Sequence, residues 1–126
     1  MQLNYRDSKP IYEQVKDGIR KLVISNVIQA DEKLPSVREM AAKYAINPNT
    51  IARAYKELEE EGYLYTKSGK GTFAADAGNA KDHRTQELKE VFDDVVTELV
   101  FLSTPIDELK SRMDENIAVH KLKKAK

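Results

Sequence analysis

The fold of this chain is decided by residues 34–62, which read LPSVREMAAKYAINPNTIARAYKELEEEG. Ser36 stands three residues before Glu39, and this spacing is that of a capping box in which each side chain bonds the other residue's backbone N–H. We therefore expect a short helix over about residues 37–44. Its inward-facing residues are predicted to be Val37, Met40 and Ala41.

A second helix is predicted to follow directly after a tight turn at Ala45-Ile46. Asn47 is a favourable N-cap residue, and Pro48 suits the first helical position because an N–H group is not needed there. We expect this helix to run to about Glu61, where Gly62 can end it in a left-handed conformation. Its predicted apolar face consists of Ile51, Ala54, Tyr55 and Leu58.

Working outward, a first helix is predicted from Pro10 to about Ser25. Apolar residues recur at helical spacing along it, at Ile11, Val15, Ile19, Leu22 and Val23. Lys33-Leu34-Pro35 is predicted to be extended, since a residue before proline avoids the helical region. After the second and third helices, residues 63–66 and 72–74 read as two strands around a turn. This order of elements predicts a mostly α (α+β) winged helix-turn-helix with a short β-hairpin wing.

The remaining chain is predicted to form a separate helical unit. We divide the sequence into a domain at 1–75, a small, polar linker at 76–83 and a two-helix unit at 84–126, with the last helix starting at Thr104-Pro105. Apolar residues alternate spacings of four and three along this unit. A second copy could cover this stripe, or the stripe could fold back on its own domain, and the first alternative predicts a two-fold homodimer. The predicted dimerisation residues are Leu88, Phe92, Val95, Leu99, Leu102, Ile106, Leu109 and Met113.

Composition excludes several classes of function. The chain has 126 residues, 21 basic and 21 acidic side chains, and no cysteine. A disulfide scaffold, a thiolate zinc site and a cysteine nucleophile are therefore excluded. No apolar run approaches the roughly 20 residues of a membrane span, and no signal peptide is evident, so a cytoplasmic protein without membrane contact is expected. The two histidines, His83 and His120, lie far apart, and no catalytic set stands out, so we expect neither a metal site nor an enzyme.

The helix-turn-helix plan points to duplex DNA as the partner. Its second helix fits the major groove, where residues at its N-terminal end meet the base edges. Because net charge is zero, this interpretation depends on where polar and basic residues stand. Candidate contacts are Asn47, Asn49, Thr50 and Arg53 on the helix, with Lys67, Gly69, Lys70 and Gly71 on the hairpin. The acidic run of Glu57, Glu59, Glu60 and Glu61 is predicted to form a solvated face or a helix end that points away from DNA.

Several motifs in the first 74 residues resemble those of a known family. They are Pro10-Ile11-Tyr12-Glu13-Gln14, Leu34-Pro35-Ser36-Val37-Arg38-Glu39-Met40-Ala41, Asn47-Pro48-Asn49-Thr50-Ile51-Ala52-Arg53-Ala54-Tyr55, Leu58-Glu59-Glu60-Glu61-Gly62-Tyr63 and Ser68-Gly69-Lys70-Gly71-Thr72-Phe73. In this order they resemble the GntR family of bacterial regulators. The Asn-Pro-Asn-Thr segment and the short helical C-terminal unit are similar to the YtrA-like subfamily.

The resemblance implies roles for particular residues. It implies DNA contacts by Arg38 and by the wing tip of Ser68, Gly69, Lys70 and Gly71, besides the start of the recognition helix. Ser36 is interpreted first as a cap and is retained as a candidate contact. Two departures stand out, because many members have arginine at the positions of Pro48 and Ala52. The operator sequence read by the wider family is therefore not carried over.

Together these features predict a sequence-specific transcription regulator, and specifically a repressor that binds an inverted-repeat operator as a homodimer and occludes the promoter. No cofactor is expected. The C-terminal unit is short for an enclosed ligand pocket, so a small-molecule effector is left open. The alternative is a winged-helix module that binds another protein and not DNA.

Overall fold

The computed structural model describes the backbone of residues 1–125 and the side chains of residues 1–121. Its elements are α1 (Ile11–Ile24), α2 (Val37–Tyr44), α3 (Pro48–Glu60), β1 (Leu64–Lys67), β2 (Gly71–Ala74), α4 (Ala77–Phe101) and α5 (Ile106–Ala125). The chain divides into two compact units, Met1–Thr85 and Gln86–Lys126. The predicted winged helix-turn-helix with its hairpin is confirmed within the first unit.

The predicted helix ends are set by local hydrogen bonds. At the start of α2, the Ser36 hydroxyl accepts a hydrogen bond from the Glu39 amide at 3.1 Å, which is one of the two hydrogen bonds of the predicted capping box. The turn between α2 and α3 contains Ala45 in the left-handed region at φ 53°, and α1 ends before Asn26 at φ 63°. Gly62, at φ 85°, ends α3 as expected. From α1 to β2, each predicted boundary lies within about two residues of the observed one.

The core of the first unit lies between α1, α2, α3 and the hairpin. The predicted face of α3 is entirely buried, with Ile51, Ala54 and Leu58 at 0% exposure and Tyr55 at 6%. The other buried apolar residues are Val15, Ile19, Val23, Leu34, Met40, Ala41, Tyr63, Leu64, Ala74 and Ala80. The larger aliphatic side chains of this core each contribute roughly 1.5–3 kcal/mol when fully buried, so packing of the three helices fixes the orientation of α3.

The wing is an antiparallel hairpin with a third short segment beside it. Leu64 pairs with Ala74 and Lys67 with Gly71. On the outer side of β2, Lys33 forms an isolated bridge with Phe73, and the Leu34 amide donates to the Thr72 carbonyl at 2.8 Å. The segment that was predicted to be extended therefore joins the hairpin to the start of α2.

The predicted linker at 76–83 is wrong, because α4 begins at Ala77. Asp76 caps this helix: its Oδ1 accepts hydrogen bonds from the amides of Gly78 at 2.8 Å and Asn79 at 3.2 Å. Ala80 is completely buried in the core of the first unit. The small residues of this segment predicted a linker, but Ala80 is small because it packs against the rest of the first unit.

In the second unit, residues 102–105 connect α4 to α5, and the two helices make few contacts with each other. The connection contains Ser103 at φ 63°. Helix α5 begins at Ile106, one residue after the predicted first position. Among the described residues, neither helix is both long and apolar enough to span a lipid bilayer.

Candidate nucleic-acid interface

All eleven residues predicted to contact DNA lie in the first unit, and none is buried. Thr50 and Gly71 are partly exposed. The others are exposed, namely Ser36, Arg38, Asn47, Asn49, Arg53, Lys67, Ser68, Gly69 and Lys70. The interface interpretation requires this exposure, because a buried side chain cannot reach a base edge or a phosphate.

The start of α3 is capped from within the chain. Asn47 Oδ1 accepts a hydrogen bond from the Asn49 amide at 2.9 Å, and the Asn47 carbonyl accepts one from the Thr50 amide at 3.0 Å. Pro48 has no N–H to offer. A helix N-terminus commonly binds phosphate through such amides, but here they are already engaged. Contacts from this end must therefore come from the side chains of Asn47, Asn49 and Thr50.

Arg53 is held in place by two neighbours. Its Nε donates to Glu57 Oε2 at 3.0 Å, one turn along α3. Its guanidinium carbon lies 3.7 Å from the centroid of the Tyr12 ring on α1. The side chain is nevertheless 61% exposed. Sequence reasoning assigned Arg53 to the interface but gave Tyr12 no role, although Tyr12 lies within a motif that marked the family resemblance.

Arg53 borders an open cleft of about 420 Å³ between the starts of α1 and α3. The cleft is lined by Pro10, Ile11, Tyr12, Asn49, Thr50 and Arg53. The structure therefore groups three predicted contact residues with the first turn of α1, a segment that was not predicted to take part.

The acidic residues at the end of α3 behave differently from the prediction. Glu59 and Glu60 are exposed, as expected of a solvated face. Glu57 and Glu61, however, accept hydrogen bonds from the buried Lys16 ammonium at 3.2 and 2.9 Å. The expectation of a solvated face is wrong for these two carboxylates, because α1 carries a buried cation that they neutralise.

The network extends along α1 and shifts the pKa values of its members. Arg20 pairs with Asp17 at 2.7 Å and with Glu61 at 3.6 Å. Burial opposes the charge on Lys16, but the hydrogen bonds to Glu61 and Glu57 outweigh this effect and raise its pKa above the ordinary value. Burial likewise opposes the charge on Glu57, and the hydrogen bonds from Lys16 and Arg53 outweigh it and lower its pKa.

Arg38 lies exposed in the first turn of α2, and the segment before it is anchored to α3. The Tyr55 hydroxyl donates to the Pro35 carbonyl at 2.8 Å. Burial raises the pKa of Tyr55 to about 12, so the phenol remains a protonated donor at neutral pH. This hydrogen bond fixes the entry to α2 and therefore the position of Arg38 relative to α3.

The wing tip is a glycine turn beside a basic and aromatic face. The Lys70 amide donates to the Lys67 carbonyl at 2.9 Å, with Gly69 at φ 75° and Gly71 at φ 118°. The Tyr65 and Phe73 rings stack with centroids 5.7 Å apart, and the Lys67 ammonium lies 5.6 Å from the Phe73 centroid. The turn therefore presents backbone and cationic groups together.

Lys33 is a basic residue of the wing that sequence reasoning missed. A Cβ atom on Gly71 would lie 2.8 Å from Lys33 Cε, so the lysine side chain passes directly over that glycine. The motif LPS begins one residue later, and the bridge between Lys33 and Phe73 is formed by tertiary structure. No pattern within the local sequence indicates this contact.

The predicted dimerisation residues all lie in the second unit, on α4, on α5 and on the connection between them. Six of them are large apolar side chains with about half or more of their surface exposed: Leu88 48%, Phe92 49%, Val95 50%, Leu102 65%, Ile106 64% and Met113 48%. Leu99 and Leu109 are partly buried. Exposed apolar patches of this kind mark interaction surfaces, and among the described residues most of this stripe is open to solvent. Among the described residues, no three acidic, histidine or cysteine side chains come together as a metal site would require.

Comparison with known proteins places these features in context. Residues 11–74 match the family described as bacterial regulatory proteins, gntR family. The HTH-type transcriptional repressor YtrA of Bacillus subtilis (strain 168) is 34% identical over 119 residues, which cover 91% of this chain and 90% of YtrA. The matched family region extends from α1 to the end of β2, and therefore includes every candidate DNA contact.

Two solved structures have folds similar to this chain or to part of it. A GntR family transcriptional regulator from Listeria monocytogenes has a TM-score of 0.69 at 31% identity, covering 88% of this chain and 98% of that one. The DNA-binding domain of AraR in complex with operator ORR3 has a TM-score of 0.52 at 32% identity, covering 60% of this chain and 90% of that one. The second similarity relates the first unit to a domain solved on its operator.

Proposed function

This chain belongs to the GntR family of bacterial regulatory proteins and is a DNA-binding transcription regulator, and we propose that it acts as a repressor that binds an inverted-repeat operator as a homodimer. The family and the matched relatives are transcription regulators and not enzymes, as the sequence predicted. The observation that carries the proposal is the exposed polar start of α3 within a unit similar to an operator-bound domain. Because its target is the chromosome, we place its action in the cytoplasm.

We assign operator recognition to three groups of side chains. Asn49, Thr50 and Arg53 supply donors and acceptors for base edges in the major groove, where asparagine matches adenine and arginine matches guanine. Arg38 at the start of α2 neutralises a phosphate and fixes the register. The wing tip at 67–71 reaches the adjacent groove, where its glycines allow close approach. Asn47 and Ser36 combine capping with contact.

We assign dimerisation to the apolar stripe of α4 and α5. Two helices that make few contacts with each other leave apolar faces that a second copy can cover. A closed two-fold dimer uses the same patch on both subunits and leaves none of it exposed. Two-fold symmetry then requires an operator with two half-sites about one helical turn apart, in opposite orientation.

A selection experiment tests this proposal directly. The full chain is used to enrich sequences from a library of randomised duplex DNA, and binding of the enriched sequence is measured by fluorescence anisotropy at two salt concentrations. We expect an inverted repeat, with affinity that falls steeply as salt increases because phosphate contacts release counterions. Absence of any enriched sequence, or binding insensitive to salt, would favour the protein-binding alternative.

Single substitutions test which side chains contact DNA. Arg38→Ala is expected to weaken binding to the enriched operator and to unrelated DNA by similar factors, and to reduce the salt slope by about 1. Lys21→Ala is a matched control, because Lys21 is an exposed cation at the opposite end of α1 from Tyr12. If both variants lose affinity equally, Arg38 has no specific place in the interface.

A further inference from the structure

A four-residue chain of contacts links α1 to Arg53. The buried Lys16 ammonium donates to Glu57 at 3.2 Å, Glu57 accepts from Arg53 Nε at 3.0 Å, and the guanidinium lies 3.7 Å above the Tyr12 ring. The two ends of the chain, Lys16 and Tyr12, both belong to α1. Arg53 is thus held directly by Tyr12 of α1 and by Glu57 of its own helix, and Glu57 is in turn held by Lys16 of α1.

These contacts leave the edge of the guanidinium that carries the two terminal nitrogens available to a partner. An arginine side chain carries five N–H donors in a planar fork. The bond to Glu57 uses the Nε donor, so the two terminal nitrogens keep the pair of parallel donors that guanine or a phosphate requires. The ring of Tyr12 covers a face of the plane and leaves its edge open.

The contacts also limit the orientations that Arg53 can adopt before DNA arrives. An exposed arginine normally samples many rotamers and loses that freedom when it binds. Here an aromatic face and a carboxylate define one orientation in the free protein. The Tyr12 hydroxyl donates to Glu13 at 3.1 Å, so the part of the tyrosine that acts on Arg53 is its ring.

We propose that Tyr12 is a positioning residue for operator recognition: its ring holds Arg53 in the orientation in which the guanidinium reads the DNA. This inference rests on the proposed function, because it assigns Tyr12 a role through Arg53 at the same interface. It adds α1 to the elements that determine specificity, although Tyr12 itself needs no contact with a base.

The orientation is tested first without DNA. In the free protein, the ring current of Tyr12 is expected to shift the NMR signals of the Arg53 δ protons and Nε–H upfield. Tyr12→Phe should retain this shift, whereas Tyr12→Leu should abolish it. Circular dichroism and thermal unfolding of each variant establish that the fold is intact. If the shift is absent from the wild-type protein, the proposed positioning is refuted, whatever the protein does with DNA.

The effect on recognition is tested by a double-mutant cycle on the enriched operator. Tyr12→Leu should weaken specific binding by about 3- to 30-fold, the range of cation–π energies from exposed to desolvated sites. Tyr12→Phe should bind as the wild type does. In an Arg53→Ala background, Tyr12→Leu should cause no further loss, since the residue through which it acts is gone.

Three outcomes overturn the proposal. Wild-type affinity in Tyr12→Leu would show that the stack is irrelevant to recognition. An equal loss in both backgrounds would show that Tyr12 contacts DNA on its own account. Tighter binding by Tyr12→Leu would show that the stack restrains Arg53 away from DNA. By contrast, a wild-type protein that binds no operator would refute the proposed function, while the NMR result would still decide the orientation of Arg53.

Discussion

Asn47 caps α3 with the oxygen of its side-chain amide, and the nitrogen of the same amide is available to a partner. Its Oδ1 caps α3 by accepting from the Asn49 amide at 2.9 Å. The cap uses the carbonyl oxygen, so the NH₂ group of the same amide remains a donor. Aspartate would supply an equivalent cap oxygen but no NH₂ group, and it would bring a negative charge toward phosphates.

This difference allows the two roles of Asn47 to be separated. We expect Asn47→Asp to keep the free energy of unfolding within about 0.5 kcal/mol, whereas Asn47→Ala should lower it by about 1 kcal/mol. Asn47→Asp should weaken operator binding at least about tenfold, because it loses a donor and adds repulsion. Urea unfolding and fluorescence anisotropy give the two quantities. An Asn47→Asp protein that binds operator normally would restrict this residue to capping.

Gly71 is required chiefly for its backbone angle, and a Cβ there would also displace the flexible end of the Lys33 side chain. Its φ of 118° is unfavourable for any residue with a side chain, and a Cβ would lie 2.8 Å from Lys33 Cε. We expect Gly71→Ala to lower the free energy of unfolding by about 1–3 kcal/mol. Adding Lys33→Ala should recover part of this loss by removing the overlap but not the backbone strain. Both are measured by urea unfolding.

Gly69 provides the control for this prediction. It lies at φ 75°, and a Cβ there would meet no atom within 4 Å. Gly69→Ala should therefore cost less than Gly71→Ala, and Lys33→Ala should not relieve it. If the two alanine variants are equally destabilised, the close passage of Lys33 over Gly71 is not energetically important.

At the scale of elements, α1 and α3 are joined by an ion-pair network as well as by apolar packing. Lys16 is 8% exposed and Arg20 is 7% exposed, and their partners are Asp17, Glu57 and Glu61. Removing one member of such a buried pair leaves its partner uncompensated, which costs more than the intact pair contributes. The network therefore makes the α1–α3 contact dependent on pH.

The direction of each pKa shift gives the pH at which stability changes. The folded pKa of Glu57 is lowered from its ordinary value of 4.5, so its contribution is present above that pH and is lost as pH falls through the folded value. The folded pKa of Lys16 is raised from 10.5, so its contribution is complete below that pH and is lost as pH rises through the folded value. We expect urea midpoints to decline at both extremes.

Glu57→Gln should flatten part of the decline in acid, because glutamine does not titrate in that range. Glu59→Gln is the matched control, since Glu59 is an exposed glutamate on the same helix. Should Glu59→Gln change the acid limb as much as Glu57→Gln does, the pairing with Lys16 and Arg53 would not be the cause of the pH dependence.

The start of α4 also acts as an element of the first unit. Because Ala80 is 0% exposed, there is no room for a larger side chain. We expect Ala80→Leu to lower the free energy of unfolding by about 1–3 kcal/mol through overpacking. Asn79→Leu, at an exposed neighbouring position, should change it by no more than about 0.5 kcal/mol. If both variants unfold like the wild type, residues 77–83 behave as the linker that the sequence suggested.

At the scale of the whole molecule, the chain combines a unit suited to DNA with a unit in which many of the described apolar side chains are exposed. In the proposed homodimer, two half-sites bound together share the cost of association, so operator affinity is expected to depend on the second unit even though that unit is not assigned a base contact. Dimerisation and DNA contact should therefore be separable by substitution.

We expect Phe92→Glu combined with Val95→Glu to yield a monomer that folds but binds the operator weakly, because charges within an apolar interface oppose association. Light scattering coupled to size-exclusion chromatography gives the mass, and anisotropy gives the affinity. Lys89→Glu is the control for added negative charge at an exposed position of α4. Arg53→Ala should weaken operator binding by about 5- to 150-fold, the loss of one arginine–base contact, but remain dimeric, and a monomeric Arg53→Ala protein would contradict this separation.

The sequence by itself determined the features that depend on neighbours along the chain. Ser36 with Glu39, and Asn47 with Pro48, set the starts of α2 and α3 because cap hydrogen bonds join residues two or three positions apart. The apolar face of α3 followed from helical periodicity, and the exposure of its polar start followed from the same periodicity.

Only the tertiary structure decided the contacts between residues distant in sequence. Lys16 lies 41 and 45 positions from its partners Glu57 and Glu61, and the stack of Tyr12 on Arg53 likewise depends on how α1 packs against α3. The helical start of α4 was missed because the burial of Ala80 depends on a surface formed by the rest of the domain. Local sequence patterns indicate hydrogen bonds within a single turn, whereas these contacts form only when separate elements pack together.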